Sequence, residues 1–180
     1  MVKIATPHLT IITGKPGSGK STLAATLAPA LNRTLVSRDQ VKEDMLVAQG
    51  QNHREAELNM NQVASSRFFL MVESLLLSGT SVIAEAAFQH GVWTPWLERM
   101  VDISSVRLLI CDVSASLAVE RFDERKRVDP SRIQFHGDDP ESGHQLIKQY
   151  LAPQLDLPTL KIETTNGYTP DISEIKLFCL

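Results

Sequence analysis

The sequence is short of cysteine, aromatic residues, charge of one sign and long apolar runs. Each shortage removes a class of protein. Its only cysteines, Cys111 and Cys179, are far apart, one in an apolar run and one beside the last residue, which forms neither a disulfide framework nor a zinc-ligand spacing. A reducing, cytoplasmic setting is the expectation that follows. The longest apolar segment, Phe68 to Leu77, is broken by Glu73 and Ser74, and the first residues lack a basic stretch leading into an apolar one. No membrane span or targeting segment is expected. A net charge of −3 supplies no global field for recruiting nucleic acid, although a local basic groove stays open. Repeats and low-complexity tracts are also missing. An apolar fraction of 43% with 22% charged residues is that of a folded globular chain, and 180 residues suit one domain over 1–180.

Against these absences stands one dense motif, Gly14-Lys15-Pro16-Gly17-Ser18-Gly19-Lys20-Ser21, followed by Thr22. It fits the Walker A pattern G-x-x-x-x-G-K-[ST], between the β-branched run Leu9-Thr10-Ile11-Ile12-Thr13 and the helical run from Leu23 to Leu27. Glycines let successive backbone N–H groups turn inward onto a polyphosphate, and the helix opening at Gly19-Lys20 adds the positive end of its dipole. Lys20 would reach the β- and γ-phosphates of ATP, and the Ser21 hydroxyl would ligate Mg²⁺.

Beyond the loop, a helix is predicted from Lys20 towards Asn32 on Leu23, Leu27 and Leu31, ending or kinking near Ala28 because of Pro29. A short strand at Thr34–Ser37 leads into Arg38-Asp39 and a helix from about Gln40 to Gln49, for which Asp39 can serve as N-cap. Met60, Val63, Ala64, Phe68, Met71 and Leu75 predict a long helix closed by Gly79, with Arg67 on or near its apolar stripe. Further strands are predicted at 81–84, ending at Glu85, at 106–111, ending at Asp112, and at 160–163. Helices are predicted through Pro95–Met100, from Ser114–Ser116 to about Arg127, at 145–150, and after Pro170-Asp171. The stretch Val128 to Gly143 has no apolar period and reads as a long loop or flap, giving a lid over approximately 125–144. Alternating strands and helices predict a parallel α/β sheet covered on both faces, with ligands at the carboxyl ends of its strands.

Those strand ends carry the chemistry. Asp39 is placed to accept a proton from an acceptor hydroxyl, or merely caps a helix. Arg38 beside it would hold an anionic acceptor or phosphoryl group, or lie on the surface. Glu85, directly after an apolar strand, needs a neighbour such as a metal-bound water, an acceptor group or a buried cation. Asp112 reads as a turn or cap residue. Arg121 and Arg125 share a helix face at i, i+4, with Arg127 and Arg132 close behind. Such a cluster can close over ATP and supply charge to the transition state, or be a solvated face balanced by Glu120, Asp123 and Glu124. Arg132 and His136 are also candidate acceptor contacts. Thr164-Thr165-Asn166 would border the nucleotide base or form a plain turn.

The chain resembles the P-loop kinase group, specifically the small kinase-like proteins classed as AAA family ATPases. The resemblance is carried by Gly14 to Ser21, Ser37-Arg38-Asp39 with Lys42-Glu43, Val82 to Phe88, and Glu120-Arg121 through Arg125. Relatives in this group include the polynucleotide kinase domain of bacteriophage, chloramphenicol phosphotransferase and zeta-type toxins. The resemblance implies a three-layer fold with a five-stranded sheet of order 2-3-1-4-5 and a helical lid. It also implies that Asp39 is the general base and that Arg125 contacts the phosphates. Many of these kinases carry Asp where this chain has Glu85, and the Arg132–Gly137 loop resembles the lid of an uncharacterised subgroup. The expected function is transfer of the γ-phosphoryl of ATP to a hydroxyl of a small molecule or nucleotide. Two alternatives stand beside it. A polynucleotide 5′-hydroxyl kinase would need a basic groove leading to Arg38, and a nucleotide-dependent switch would need no acceptor, although N-K-x-D and D-x-x-G motifs are lacking.

Overall fold

The computed structural model describes residues 6–52, 59–129 and 140–180. Strands β1 (His8–Gly14), β2 (Thr34–Ser37), β3 (Val82–Glu85), β4 (Ser105–Asp112) and β5 (Thr159–Glu163) form one parallel sheet in the order β2-β3-β1-β4-β5. This is the order that the resemblance implies. The helices are α1 (Lys20–Ala30), α2 (Arg38–Gln49), α3 (Met60–Leu77), α4 (His90–Met100), α5 (Ala115–Val128), α6 (Pro140–Gln149) and α7 (Ile172–Phe178). Among the described residues, no helix is long and apolar enough to cross a membrane.

Parallel strands are covered on both faces, so β1 is an unbroken buried run from Leu9 to Gly14. Its alternate residues serve two cores. Leu9 and Ile11 pack with Phe68 and Val72 of α3 and Trp93 and Leu97 of α4, whereas Ile12 packs with Leu23 and Leu27 of α1 and Ile175 of α7. Trp93 and Trp96 are buried packing residues. Together with Phe68, Phe69 and Phe88 they form a ring cluster with neighbouring centroids 4.8 to 6.0 Å apart, several of them edge to face.

Four local features differ from the sequence expectation. Helix α1 runs through Pro29 to Ala30 and then closes with Leu31 N–H donating to the Leu27 carbonyl. Proline removes its own donor and crowds the carbonyl one turn back, and with Pro29 one residue from the helix end these costs do not stop the helix before Ala30. Helix α3 buries Met60, Ala64, Phe68, Val72 and Leu76 at i+4 spacing, while Val63 and Met71 are each 41% exposed and Arg67 is exposed. The real stripe follows one row of side chains, and the expected one straddled its edge. Helix α2 begins at Arg38, so Asp39 lies within the first turn and is not the N-cap. Ser37 holds the cap position without a side-chain cap bond. Finally, the flap expected over 128–143 is helical from Pro140 onward. Gly143 lies within that helix, and a Cβ there would be 2.3 Å from the Phe122 ring of α5, so glycine lets the two helices approach.

Candidate functional site

The loop between β1 and α1 is fastened by its backbone. Ser18 N–H donates to the Lys15 carbonyl at 3.1 Å, and Gly17 and Gly19 take φ of +82° and +80°, conformations that glycine adopts without a Cβ penalty. A Cβ on Gly17 would lie 2.2 Å from the Ala118 carbonyl of α5, and one on Gly14 would lie 2.5 Å from the Cys111 carbonyl of β4. Only glycine allows the loop to sit this close to two neighbouring elements. Pro16 is half-buried and Ser18 fully buried. Lys15 points away from the loop, donating to the Val113 carbonyl at 2.8 Å and pairing with Asp112 at 3.2 Å. Asp112 also accepts from Val113 N–H, the turn role read from the sequence.

Glu85 lies at the centre of the strand ends. The parallel register sets it beside Ile12 of β1 and Ser37 of β2, with its side chain on the α1 face. It is 2% exposed. The Ser21 hydroxyl donates to Oε1 at 3.2 Å, the Ser37 hydroxyl donates to Oε2 at 2.7 Å, and Lys20 Nζ is 3.6 Å from Oε1. One buried carboxylate thereby joins the phosphate loop to the end of β2. Two residues beyond Ser37, Asp39 is roughly half exposed in the first turn of α2, where the helix dipole favours a carboxylate. Arg38 is not a surface residue. Its guanidinium lies 3.5 Å from Asp39 and donates to the carbonyl and side-chain oxygen of Asn61 in α3 at 3.1 and 2.9 Å.

On the other side of the loop, Ser114 caps α5 by accepting from Leu117 N–H, and α5 turns Ala118 and Phe122 into the structure. Arg121 and Arg125 then share a face along a cavity of about 570 Å³, together with Gly17, Gly19, Lys20, Ser21 and Thr22. Arg121 donates to the carbonyls of Thr164 and Thr165 at 2.9 and 3.0 Å. Arg127 behaves differently, being exposed and paired with Glu124. The cavity also takes in Thr164, Gly167 and Tyr168 after β5. Tyr168 was not read from the sequence; its place just past the last strand, at the ligand edge of the sheet, is the signal that could have found it. Arg132 and His136 lie outside the described residues. His144 sits in α6 and is 3.0 Å from Asp123.

A second network, also unread in the sequence, braces the root of the loop. Thr13, buried beneath Gly14, accepts from Trp93 Nε1 at 3.2 Å and shares a hydrogen bond of 2.8 Å with the Tyr150 hydroxyl. Burial pushes the Tyr150 phenol up to about 12. The same cause pushes the Cys111 thiol, behind Gly14, up to about 12.

Comparison with known proteins agrees with this arrangement. The family model AAA_33, described as AAA domain, matches residues 9–145. No curated protein matches the sequence. Among solved structures, the chain is similar to a presumed kinase from Chloroflexus aurantiacus J-10-fl, with 28% identity, TM-score 0.82 and 96% of each chain covered. Two further structures share the fold. A sugar kinase from Janibacter sp. HTCC2649 has 15% identity and TM-score 0.66, covering 96% of this chain and 94% of that one. The APS kinase CysC of Mycobacterium tuberculosis, in complex with AMPPNP and APS, has 14% identity and TM-score 0.65, covering 96% and 97%. With its glycine-built phosphate loop and β2-β3-β1-β4-β5 sheet, the chain has the P-loop kinase fold and belongs to the AAA domain family AAA_33.

Proposed function

We propose that this protein is an ATP- and Mg²⁺-dependent kinase that transfers the γ-phosphoryl group to a hydroxyl of a small molecule or nucleotide. The observation that carries the reading is the Glu85 junction. A phosphate loop alone serves switches and motors equally, but here Glu85 ties Lys20 and Ser21 to Ser37, directly ahead of Arg38-Asp39. Phosphoryl transfer needs its nucleophile held beside the phosphate cradle, and this connection supplies that adjacency.

In this reading Gly14 through Thr22 hold the triphosphate, with Lys20 on its terminal phosphates and Arg121 and Arg125 closing the cavity from α5. The acceptor oxygen attacks the γ-phosphorus, the bond to the β–γ bridging oxygen breaks, and ADP leaves. Asp39 takes the proton released by the acceptor hydroxyl. Asp39 is about half exposed at a helix start, and a carboxylate so placed can accept that proton. Ser21 and Glu85 fit Mg²⁺, which binds through one or two protein oxygens with phosphates and water completing its shell. When bound, the ion neutralises charge on the β- and γ-phosphates. Arg38, Arg132 and His136 are assigned to acceptor binding, and the segment between α5 and α6 to a lid.

A small acceptor fits the net charge of −3 better than a polynucleotide does. The related folds of a sugar kinase and of an APS kinase bound to AMPPNP support nucleotide and small-molecule use. The test is label transfer from γ-labelled ATP to sugars, polyols, nucleosides and a 5′-hydroxyl oligonucleotide. Transfer to a small molecule that Lys20→Ala abolishes is expected. Acceptor-independent hydrolysis, or transfer to the oligonucleotide alone, would overturn the reading.

A further inference from the structure

We propose that Thr164 is a positioning residue for the phosphate cradle, its hydroxyl fixing the Ser18–Gly19 peptide so that the Gly19 N–H faces the phosphates. The proposal rests on the nucleotide reading above. Thr164 follows β5 and is 4% exposed. Its hydroxyl donates to the Ser18 carbonyl at 2.9 Å, with the Asp112 carbonyl 3.1 Å away. Its N–H donates to that same Asp112 carbonyl at 3.0 Å, and its own carbonyl accepts from Arg121. A single residue therefore joins the phosphate loop, the end of β4 and helix α5.

A hydroxyl has one proton to give. The Asp112 oxygen already receives the Thr164 N–H, so the Ser18 oxygen is the acceptor that depends on the hydroxyl. Because a trans peptide is planar, its C=O and N–H point in opposite directions. Holding the Ser18 carbonyl on Thr164 therefore turns the Gly19 N–H away from the β5 wall of the cavity that Thr164, Gly19 and Lys20 all line. This peptide needs such a hold. Gly19 can adopt φ of either sign, so on its glycine side rotation of the Ser18–Gly19 plane meets no Cβ to resist it. Thr164 removes that freedom before any phosphate arrives, which is preorganisation of an anion-binding donor.

The test compares Thr164→Val, which keeps the shape and deletes the donor, with Thr164→Ser, which keeps the donor. Binding of ATP, inorganic tripolyphosphate and adenosine is measured for each. Loss of one hydrogen bond should weaken ATP and tripolyphosphate alike by about tenfold in the valine variant and leave adenosine unchanged. The serine variant should stay within about twofold of wild type. Thr164→Ala carries the same expectation where a buried valine disturbs folding. Unchanged tripolyphosphate affinity in the donor-less variants overturns the proposal, as does a loss confined to ATP and adenosine, which would place Thr164 in the base subsite. Wild-type protein that binds neither ATP nor tripolyphosphate would overturn the nucleotide reading itself.

Discussion

The two halves of the candidate site are built from different materials. On the proposed phosphate side the loop itself is shaped largely through backbone, with side chains such as Lys20 and Thr164 added to it. Gly14 and Gly17 press against main-chain oxygens of β4 and α5, and Ser18 is held through its carbonyl. On the proposed acceptor side the candidate determinants are side chains from the ends of separate elements: Glu85 from β3, Ser37 from β2, Arg38 and Asp39 from α2, and Asn61 from α3. A triphosphate presents the same shape to every protein, so a rigid backbone cradle can be matched to it in advance. An acceptor differs from one protein to the next, and side chains on helix starts can be exchanged without disturbing the sheet.

Asp39→Asn tests the sharpest form of this contrast. It removes the proposed proton acceptor and leaves the cradle untouched. The turnover number should fall by roughly 10² to 10⁴, with ATP affinity unchanged within about twofold. Steady-state kinetics with the identified acceptor, beside ATP titration, checks both values. Full turnover in the variant would take Asp39 out of the chemistry and merge the two halves into one binding site.

Gly17→Ala attacks the other half. The added methyl must occupy a left-handed φ of +82°, which costs about 1–3 kcal/mol, and would sit 2.2 Å from the Ala118 carbonyl, which is backbone and cannot swing aside. The loop and α5 must separate. A lowered melting temperature and ATP binding weakened by about tenfold are expected together. If alanine left ATP binding intact, the cradle would not depend on backbone contact, and the distinction between the halves would fail.

The same division explains what could be read in the sequence. Gly14 to Ser21 is legible because its defining residues are eight consecutive ones and its flanks have different periodicities, although the loop's contacts reach distant residues such as Cys111, Ala118 and Thr164. Glu85 is legible as an acid ending an apolar strand, although its link to Ser37 needs the β2–β3 register, which no local pattern carries. Asp39 reads as base or as cap in the sequence, and only the helix start at Arg38, which puts Ser37 at the cap position, removes the capping role. The i, i+4 spacing puts Arg125 on the face of Arg121, and the structure has both along the cavity while Arg127 pairs with Glu124; the spacing leaves open whether that face is solvated. Thr164 reaches Ser18 across 146 residues of chain, so its turn-like neighbourhood reveals nothing of that contact.

Tyr150 offers the smallest and most selective perturbation, because it reaches the root of the cradle through a side chain. Its hydroxyl, from the segment just after α6, bonds Thr13 beneath the loop. If the cradle is held by its backbone, Tyr150→Phe should cost about 1 kcal/mol of stability at neutral pH and leave ATP affinity within about twofold. The alkaline limb gives a second reading. The folded phenol titrates at about 12, above its ordinary value of about 10, so ionisation favours the unfolded chain. The stabilisation is complete below pH of about 10 and is lost as pH rises towards 12, up to roughly 2 kcal/mol. Cys111 contributes an alkaline limb of the same sign, but it is present in both proteins, so the difference between wild type and Tyr150→Phe isolates the tyrosine. Urea midpoints from pH 8 to 11.5 should fall more steeply for wild type than for the variant. Parallel curves would mean that the phenol ionises without cost, and a large loss of ATP affinity would mean that the Thr13–Tyr150 bond is itself needed to hold the cradle.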